Sequence, residues 1–355
     1  MKIKLAILEK DEVYLKRLES VFSVKYADKL EIFATTEPEI ALEALRVKKI
    51  DVFLADEAFE IGAAQIPPSC GFAYLVDAAD VEKIRDITAV CKFQKAEGLY
   101  RQILGLFSEK TAAVTGAHMT GEGSKVLAFV SAAGGTGSSA AAAACAMRFA
   151  RKGKKALYLN LERFGSADVF FQGEGNTGLS DVIYAVKGRK GNLAMKLESM
   201  VRQDDSGVFF YAGAKLALNM AELSSGETRE IVSVLRTSGG YDYIVLDLDF
   251  SIEQDMLKLW EECDSIVFVA DGSAVSNAKL ERAVASLDIM ERDQKIDKQL
   301  LMRCAVLYNR FSSQTSRKAQ VSDMKELGGI KRYEGFDTDR LLLQLREQAV
   351  FDTLE

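Results

Sequence analysis

The sequence predicts an α/β protein built as two successive domains, each around a parallel sheet. Three observations predict it. Short apolar runs alternate with amphipathic stretches in roughly 25-residue steps, the mark of repeated β–α–β units. A small, polar, Gly-containing stretch at 109–124 (EKTAAVTGAHMTGEGS) interrupts that alternation once. All three prolines, Pro38, Pro67 and Pro68, lie before it, and 355 residues suit about two domains.

In the first domain, residues 2–8 (KIKLAIL), 30–35 (LEIFAT) and 51–56 (DVFLAD) read as strands. Residues 13–23 and 37–49 carry helical spacing between them. Strands at 71–76 (GFAYLV) and 87–91 (ITAVC) follow, then an amphipathic helix at 97–109. Five strands within residues 1–108 predict a flavodoxin-like doubly wound domain. Residues 109–124, with His118 among them, read as a linker, His118 as a solvated side chain.

A second series fills 125–355. Its strands read KVLAFVSA, KALYLNLE, GVFFYAG, YDYIVLDLD, SIVFVAD and LMRCAVLYN, and its helices include 139–153 and 274–290. The alanine run Ala140–Ala144 predicts a close-packed helix face. The tail, 337–355, reads as a packed terminal helix. It has Leu341, Leu342, Leu343 and Leu345, but acids where a membrane-anchoring helix carries Lys and Arg.

Composition narrows the function. A 48% hydrophobic and 28% charged chain is globular, with no apolar run near the ~20 residues of a membrane span. A net charge of −6 disfavours broad binding to a nucleic-acid backbone. Five scattered cysteines without a CxxC suggest reduced thiols and a cytoplasmic protein. A single histidine disfavours a His-based triad or a multi-His metal site.

The strongest chemical signal is Ser131-Ala132-Ala133-Gly134-Gly135-Thr136-Gly137-Ser138-Ser139, between an apolar strand and an Ala-rich helix. Strand, glycine loop and helix in that order make a phosphate cradle: glycines permit close backbone approach, and the helix N-terminus favours an anion. The run resembles the Ser-Gly-Lys-Gly-Gly-x-Gly-Lys-Thr loop of the MinD/ParA deviant Walker ATPases. Here Ala132 replaces the first glycine, and Ala133 and Ser138 replace both lysines. Residues 241–247 (YDYIVLD) resemble that family's Walker B strand, Asn160-Leu161-Glu162 its switch I, and Asn309-Arg310 its adenine-reading strand end.

The resemblance implies bound ATP and Mg²⁺. Gly134, Gly135, Thr136, Gly137 and Ser138 would cradle phosphates, and Asn309 and Arg310 would line the nucleotide site, Asn309 reading adenine. Ser139 and Asp247 would hold the metal, directly and through water, with Asp249 a further candidate ligand. Glu162 either positions an attacking water or is a surface acid at a strand end. Loss of both lysines implies weak or no hydrolysis, since phosphoryl transfer is stabilised mostly by such charges. Arg163 or Arg310 could replace part of the charge.

In the first domain, residues 51–56 resemble the third strand of response-regulator receivers, with Asp56 at the phosphoacceptor position and Lys92 at the receiver lysine. Lys10 stands where the second acid of the metal-binding pair would be, beside Glu9, and Asp77 replaces the strand-four hydroxyl. Those departures favour a pseudo-receiver used for docking, with Asp56 a vestigial phosphoacceptor. The combination resembles the TadZ/CpaE pilus assembly proteins. It implies an ATP-dependent homodimer that organises Tad-type pilus or secretion machinery at a cell pole. Its partners would include the pilus secretion ATPase, and it would meet the membrane only through them. Two other readings use the same residues: a cycling ATPase that positions cargo, and a response regulator with a P-loop output domain.

Overall fold

The structure is a computed structural model and describes residues 2–110, 123–189, 192–238, 240–293, 299–321 and 324–355. Two compact units form: Met1–Ala117 with Gly188–Met200, and His118–Lys187 with Val201–Glu355. No described helix is long and apolar enough to cross a membrane.

The first unit opens with β1 (Ile3–Leu8), α1 (Glu12–Lys25), β2 (Leu30–Thr35), α2 (Pro38–Val47) and β3 (Val52–Asp56). It continues with β4 (Gly71–Val76), β5 (Lys83–Ile84), β6 (Ile87–Cys91) and α3 (Ala96–Lys110). Its sheet order is β2-β1-β3-β4-β6-β5, parallel except for the β5–β6 edge hairpin. The central strands are buried on both faces, so they read as continuous apolar runs. Leu18 and Phe22 of α1 and Ile103 and Phe107 of α3 share one core with Leu5, Leu54 and Leu75. Ala41 and Leu45 of α2 pack on the other face with Phe53, Ile61 and Cys70. Helix α3 comes so close to β4 that a Cβ on Gly71 would lie 2.6 Å from the Leu106 carbonyl oxygen. Asp11 caps α1 by accepting from the Val13 and Tyr14 amides, and Pro38 starts α2 where no amide is needed.

The second unit begins with β7 (Lys125–Val130), α4 (Ser138–Arg151), β8 (Ala156–Asn160), α5 (Ala167–Phe170) and α6 (Leu179–Gly188). The next helix, α7 (Leu193–Met200), belongs to the first unit: Met195 packs on its core, Leu197 is buried, and Lys29 pairs with Glu198 at 3.3 Å. The chain then runs through β9 (Arg202–Gln203), β10 (Phe209–Phe210), α8 (Ala217–Glu222), α9 (Ser225–Thr237) and β11 (Tyr243–Asp247). It ends with α10 (Gln254–Glu261), β12 (Ser265–Ala270), α11 (Ala274–Arg292), β13 (Cys304–Phe311), β14 (Lys325–Lys331) and α12 (Thr338–Leu345). The sheet order is β14-β13-β12-β7-β11-β8-β10-β9. The connections after β7 and β11 run to opposite sides, so the crevice for a ligand opens at the carboxyl end of β7.

Four expectations change in detail. Most of the 109–124 linker, His118 included, lies outside the described residues. Its described ends are structured: Glu109 and Lys110 close α3, while buried Ser124 donates to the Tyr241 carbonyl at 2.7 Å. The run GVFFYAG contracts to the two residues of β10, bounded by Gly207 and Gly213. Ala141–Ala146 are buried on every side and not along one face. Helix α4 runs between the sheet and the chain's own tail, and only side chains this small allow both contacts. The tail is packed as expected, but as α12 followed by a 3₁₀ turn, Ala349–Leu354, that buries Phe351 and Leu354.

Arg148 of α4 clamps that turn, its Nε and Nη2 each donating to Asp352 at 2.5 Å. The Arg148 guanidinium, then the Lys152 ammonium, hold the Asp352 carboxyl well below the usual carboxylate range. Its folded pKa is depressed, so the stabilisation is complete above the unfolded value of about 4 and is lost as pH falls through the folded one. Asp352→Asn is therefore expected to cost about 1 kcal/mol near neutral pH, the pair being partly solvated. Urea titrations of both proteins should show that difference unchanged from about pH 7 to about pH 5 and narrowing only below about pH 4.

Candidate functional site

The glycine loop lies between β7 and α4, at the crevice. Gly135 and Gly137 take φ of +81° and +84°, which other residues adopt at a cost of about 1–2 kcal/mol. Gly137 is also the N-cap of α4, so the loop delivers its amides at a helix N-terminus. The loop is tied down from beneath. The Ser131 hydroxyl lies 2.7 Å from the Val269 carbonyl and 2.8 Å from that of Ala133, and it accepts from Thr136 Oγ1 at 2.9 Å. Thr136 and Ala133 are buried, whereas Gly134 and Gly135 are exposed.

Beside the loop, parallel registration puts Asp247, the last residue of β11, opposite Asn160, the last of β8. Asn160 Nδ2 is within bonding distance of Asp247 Oδ2 at 2.7 Å and Glu162 Oε2 at 3.0 Å. The Tyr158 hydroxyl donates to Asp247 Oδ2 at 2.7 Å, and the Ser139 hydroxyl lies 3.3 Å from both Glu162 oxygens. Burial, then the Glu162 carboxylate, push the Asp247 carboxyl up to about 8. Asp247 Oδ1 and Ser138 Oγ are buried with no hydrogen-bond partner among the described residues. An unpartnered carboxyl oxygen and hydroxyl beside a glycine loop at a helix N-terminus suit a divalent cation and an anionic ligand.

The third side is the end of β13. Asn309 Nδ2 donates to the Thr136 carbonyl at 2.8 Å, and Arg310 Nη1 to that of Gly135 at 2.7 Å. They flank a cleft of about 250 Å³ lined also by Gly137, Tyr333, Phe336 and Leu341. The structure thus brings Gly134 to Ser139, Glu162, Asp247, Asn309 and Arg310 into one place. Asp249 lies apart, exposed, accepting from the Arg163 amide at 2.9 Å.

Sequence reasoning missed Tyr158, whose aromatic ring reads as core and gives no hint that its hydroxyl serves Asp247. It missed the 331–336 wall as well. The Lys-Arg-Tyr run there stands out only once Gly328 and Gly329 are seen to lie within β14.

The first unit carries a second constellation. Glu9, Asp56, Asp77 and Lys92 follow the ends of β1, β3, β4 and β6, or end them, and so share one edge. Lys92, 6% exposed, bonds Asp56 and lies 3.2 Å from Glu9 and 3.1 Å from Asp77. Asp56 also accepts from the Ala58 amide at 2.8 Å. Burial raises the Asp56 carboxyl, but the Lys92 and Ala58 bonds outweigh it and hold the group below its usual range. Burial raises Glu9 above its own. The Lys10 ammonium sits 3.4 Å from Asp56 Oδ1, so the residue expected to repel a divalent ion also engages the acid directly.

Residues 1–108 match the family model described as TadZ-like, receiver domain. The first domain is a TadZ-like receiver domain. No curated protein matches the chain. Among solved structures, a ParA family ATPase from Chlorobium tepidum is similar with a TM-score of 0.51 at 19% identity, over 66% of this chain and 97% of that one. The MinC:MinD cell division protein complex of Aquifex aeolicus aligns over 65% of this chain and 94% of that chain, with a TM-score of 0.45 and 19% identity. The ParA likeness gives the fold that follows the TadZ-like receiver: a doubly wound P-loop fold like that of the ParA family ATPase, with the glycine loop at its switch point.

Proposed function

We propose that this chain binds ATP with Mg²⁺, hydrolyses it weakly or not at all, and pairs face to face with a second copy while nucleotide is bound. The dimer would serve as a cytoplasmic scaffold that localises Tad-type pilus assembly and secretion proteins, the secretion ATPase among them, at a cell pole. One observation carries the nucleotide reading: a left-handed glycine loop at a helix N-terminus lies beside buried Asp247, whose Oδ1 has no partner among the described residues. Loop amides and the Ser138 hydroxyl would hold phosphates, and Ser139 and Asp247 the Mg²⁺, which neutralises phosphate charge when bound. Asn309 would read the base, and Glu162 is the group nearest to position a water.

Weak turnover follows from the loop's composition, since residues 131–139 contain no Lys or Arg. Pairing is supported by apolar side chains beyond the carboxyl ends of β8, β10 and β11: Phe164 is 80% exposed, Leu218 72% and Ile252 39%. The pilus and pole assignments rest on the TadZ-like receiver. Membrane contact through partners alone fits a tail whose Leu342 and Leu345 are buried. Calorimetric titration with ATP should show Mg²⁺-dependent binding that Asp247→Asn weakens at least tenfold, or about 1.4 kcal/mol. Equal affinity with and without Mg²⁺ would remove the metal site from the proposal.

The receiver would dock and not be phosphorylated. Two ammonium groups already sit on Asp56, where phosphotransfer needs a divalent cation. Acetyl phosphate with Mg²⁺ should leave Asp56 unlabelled, as read by intact mass. Labelling lost in Asp56→Asn would restore the response-regulator reading.

A further inference from the structure

We propose that Arg310 supplies, from within its own chain, the positive charge on the nucleotide's phosphates that the loop itself lacks. The inference rests on the nucleotide reading above and assigns one residue to the phosphate chain. A polyphosphate held by backbone amides alone meets only partial charges, and residues 131–139 add no cation. Arg310 is placed to do so. Its Nη1 donates to the Gly135 carbonyl at 2.7 Å, and its Nε lies 3.8 Å from where a Cβ on Gly137 would sit. The guanidinium therefore spans the loop rim from Gly135 to Gly137.

The backbone holds it there at a cost. The β13–β14 register shifts between Tyr308 and Phe311, and Arg310 takes φ of +55°, a left-handed conformation unfavourable for any side chain. Asn309, the residue before it, is fixed to the adjoining loop carbonyl, Thr136, at 2.8 Å. Strain of this kind persists where the surroundings over-determine it, as at ligand sites. A guanidinium carries five N–H donors and the Gly135 carbonyl occupies one.

The other cations of the cleft are engaged. Arg332 pairs with Glu334 at 3.6 Å, and Lys331 lies over the Tyr333 ring at 5.4 Å. Arg310 has no carboxylate partner among the described residues, so its charge is free for a phosphate.

The test is equilibrium binding of ATP, ADP and AMP with Mg²⁺ to the full-length protein, to Arg310→Lys and to Arg310→Gly. The glycine variant removes the charge while relieving the left-handed strain, so thermal unfolding should show it at least as stable as the parent. ATP affinity should fall at least tenfold in Arg310→Gly, or about 1.4 kcal/mol, with AMP affinity nearly unchanged and Arg310→Lys in between. Unchanged ATP affinity in Arg310→Gly would overturn the assignment. An equal loss for AMP and ATP would also overturn it, leaving Arg310 as a clamp on the loop. If the parent protein binds none of the three nucleotides, the proposed function fails first and this inference with it.

Discussion

Lys92→Met should lower the stability of the receiver domain by about 3–5 kcal/mol, the usual cost of removing one partner from a buried ion pair. Glu9 and Asp56 are both fully buried, and the Lys92 ammonium touches both. Without it, Lys10 at 3.4 Å from Asp56 is the remaining cation, and its side chain is half exposed. Burial would then raise both carboxyls in the folded state, and a group with a raised folded pKa stabilises the fold as pH falls. The deficit should therefore be largest near neutral pH and shrink toward about pH 5. Adding Asp56→Asn should recover part of it, since the two effects share one contact. Denaturant titration with hydrogen exchange across β1–β6 would assign the loss to this domain. Unchanged exchange there would mean that the ion cluster is not what holds the strand ends together.

Gly137→Ala should abolish measurable nucleotide binding with little effect on the receiver domain. Gly137 takes φ of +84°, and an added Cβ would lie 2.5 Å from Asn309 Nδ2. Asn309 is buried and bonded to Thr136, so the clash displaces either the loop or the side chain that supports it. The left-handed penalty of about 1–2 kcal/mol adds to the loss of that buried bond, worth about 1–3 kcal/mol. Gly226→Ala, in α9 outside the loop, is the control, because it has ordinary φ and open space at its Cβ. Equal nucleotide binding by the two variants would show that the loop geometry does not make the site.

How far the sequence revealed this architecture depended on burial. Strands β1, β3, β7 and β11 are buried on both faces, so each reads as an apolar run broken only by Lys4 in β1 or by a charged residue at its end. Strand β14, KELGGIK, is an edge strand with one buried residue and two glycines, and no periodicity betrays it. Helix α7 was invisible for another reason: it is short, and what fixes it is Met195 docking on a core formed nearly a hundred residues earlier. In the site, the glycine loop and Asp247 were legible because each directly continues or ends an apolar strand, the loop after β7 and the acid at the end of β11. The Tyr158 hydroxyl, the Lys10–Asp56 contact and the cleft wall at 331–336 were not, because tertiary pairing makes them.

The central claim is a nucleotide-locked pair of chains, and one measurement meets it directly. The purified full-length protein, incubated with Mg²⁺ and ATP, is passed through size exclusion with light scattering, and the retained nucleotide is identified. A dimer carrying intact ATP is the predicted result, with the lysine-free loop as its explanation. A monomer carrying ADP would contradict it by showing turnover without pairing, and a chain retaining no nucleotide would reduce the loop to a structural turn.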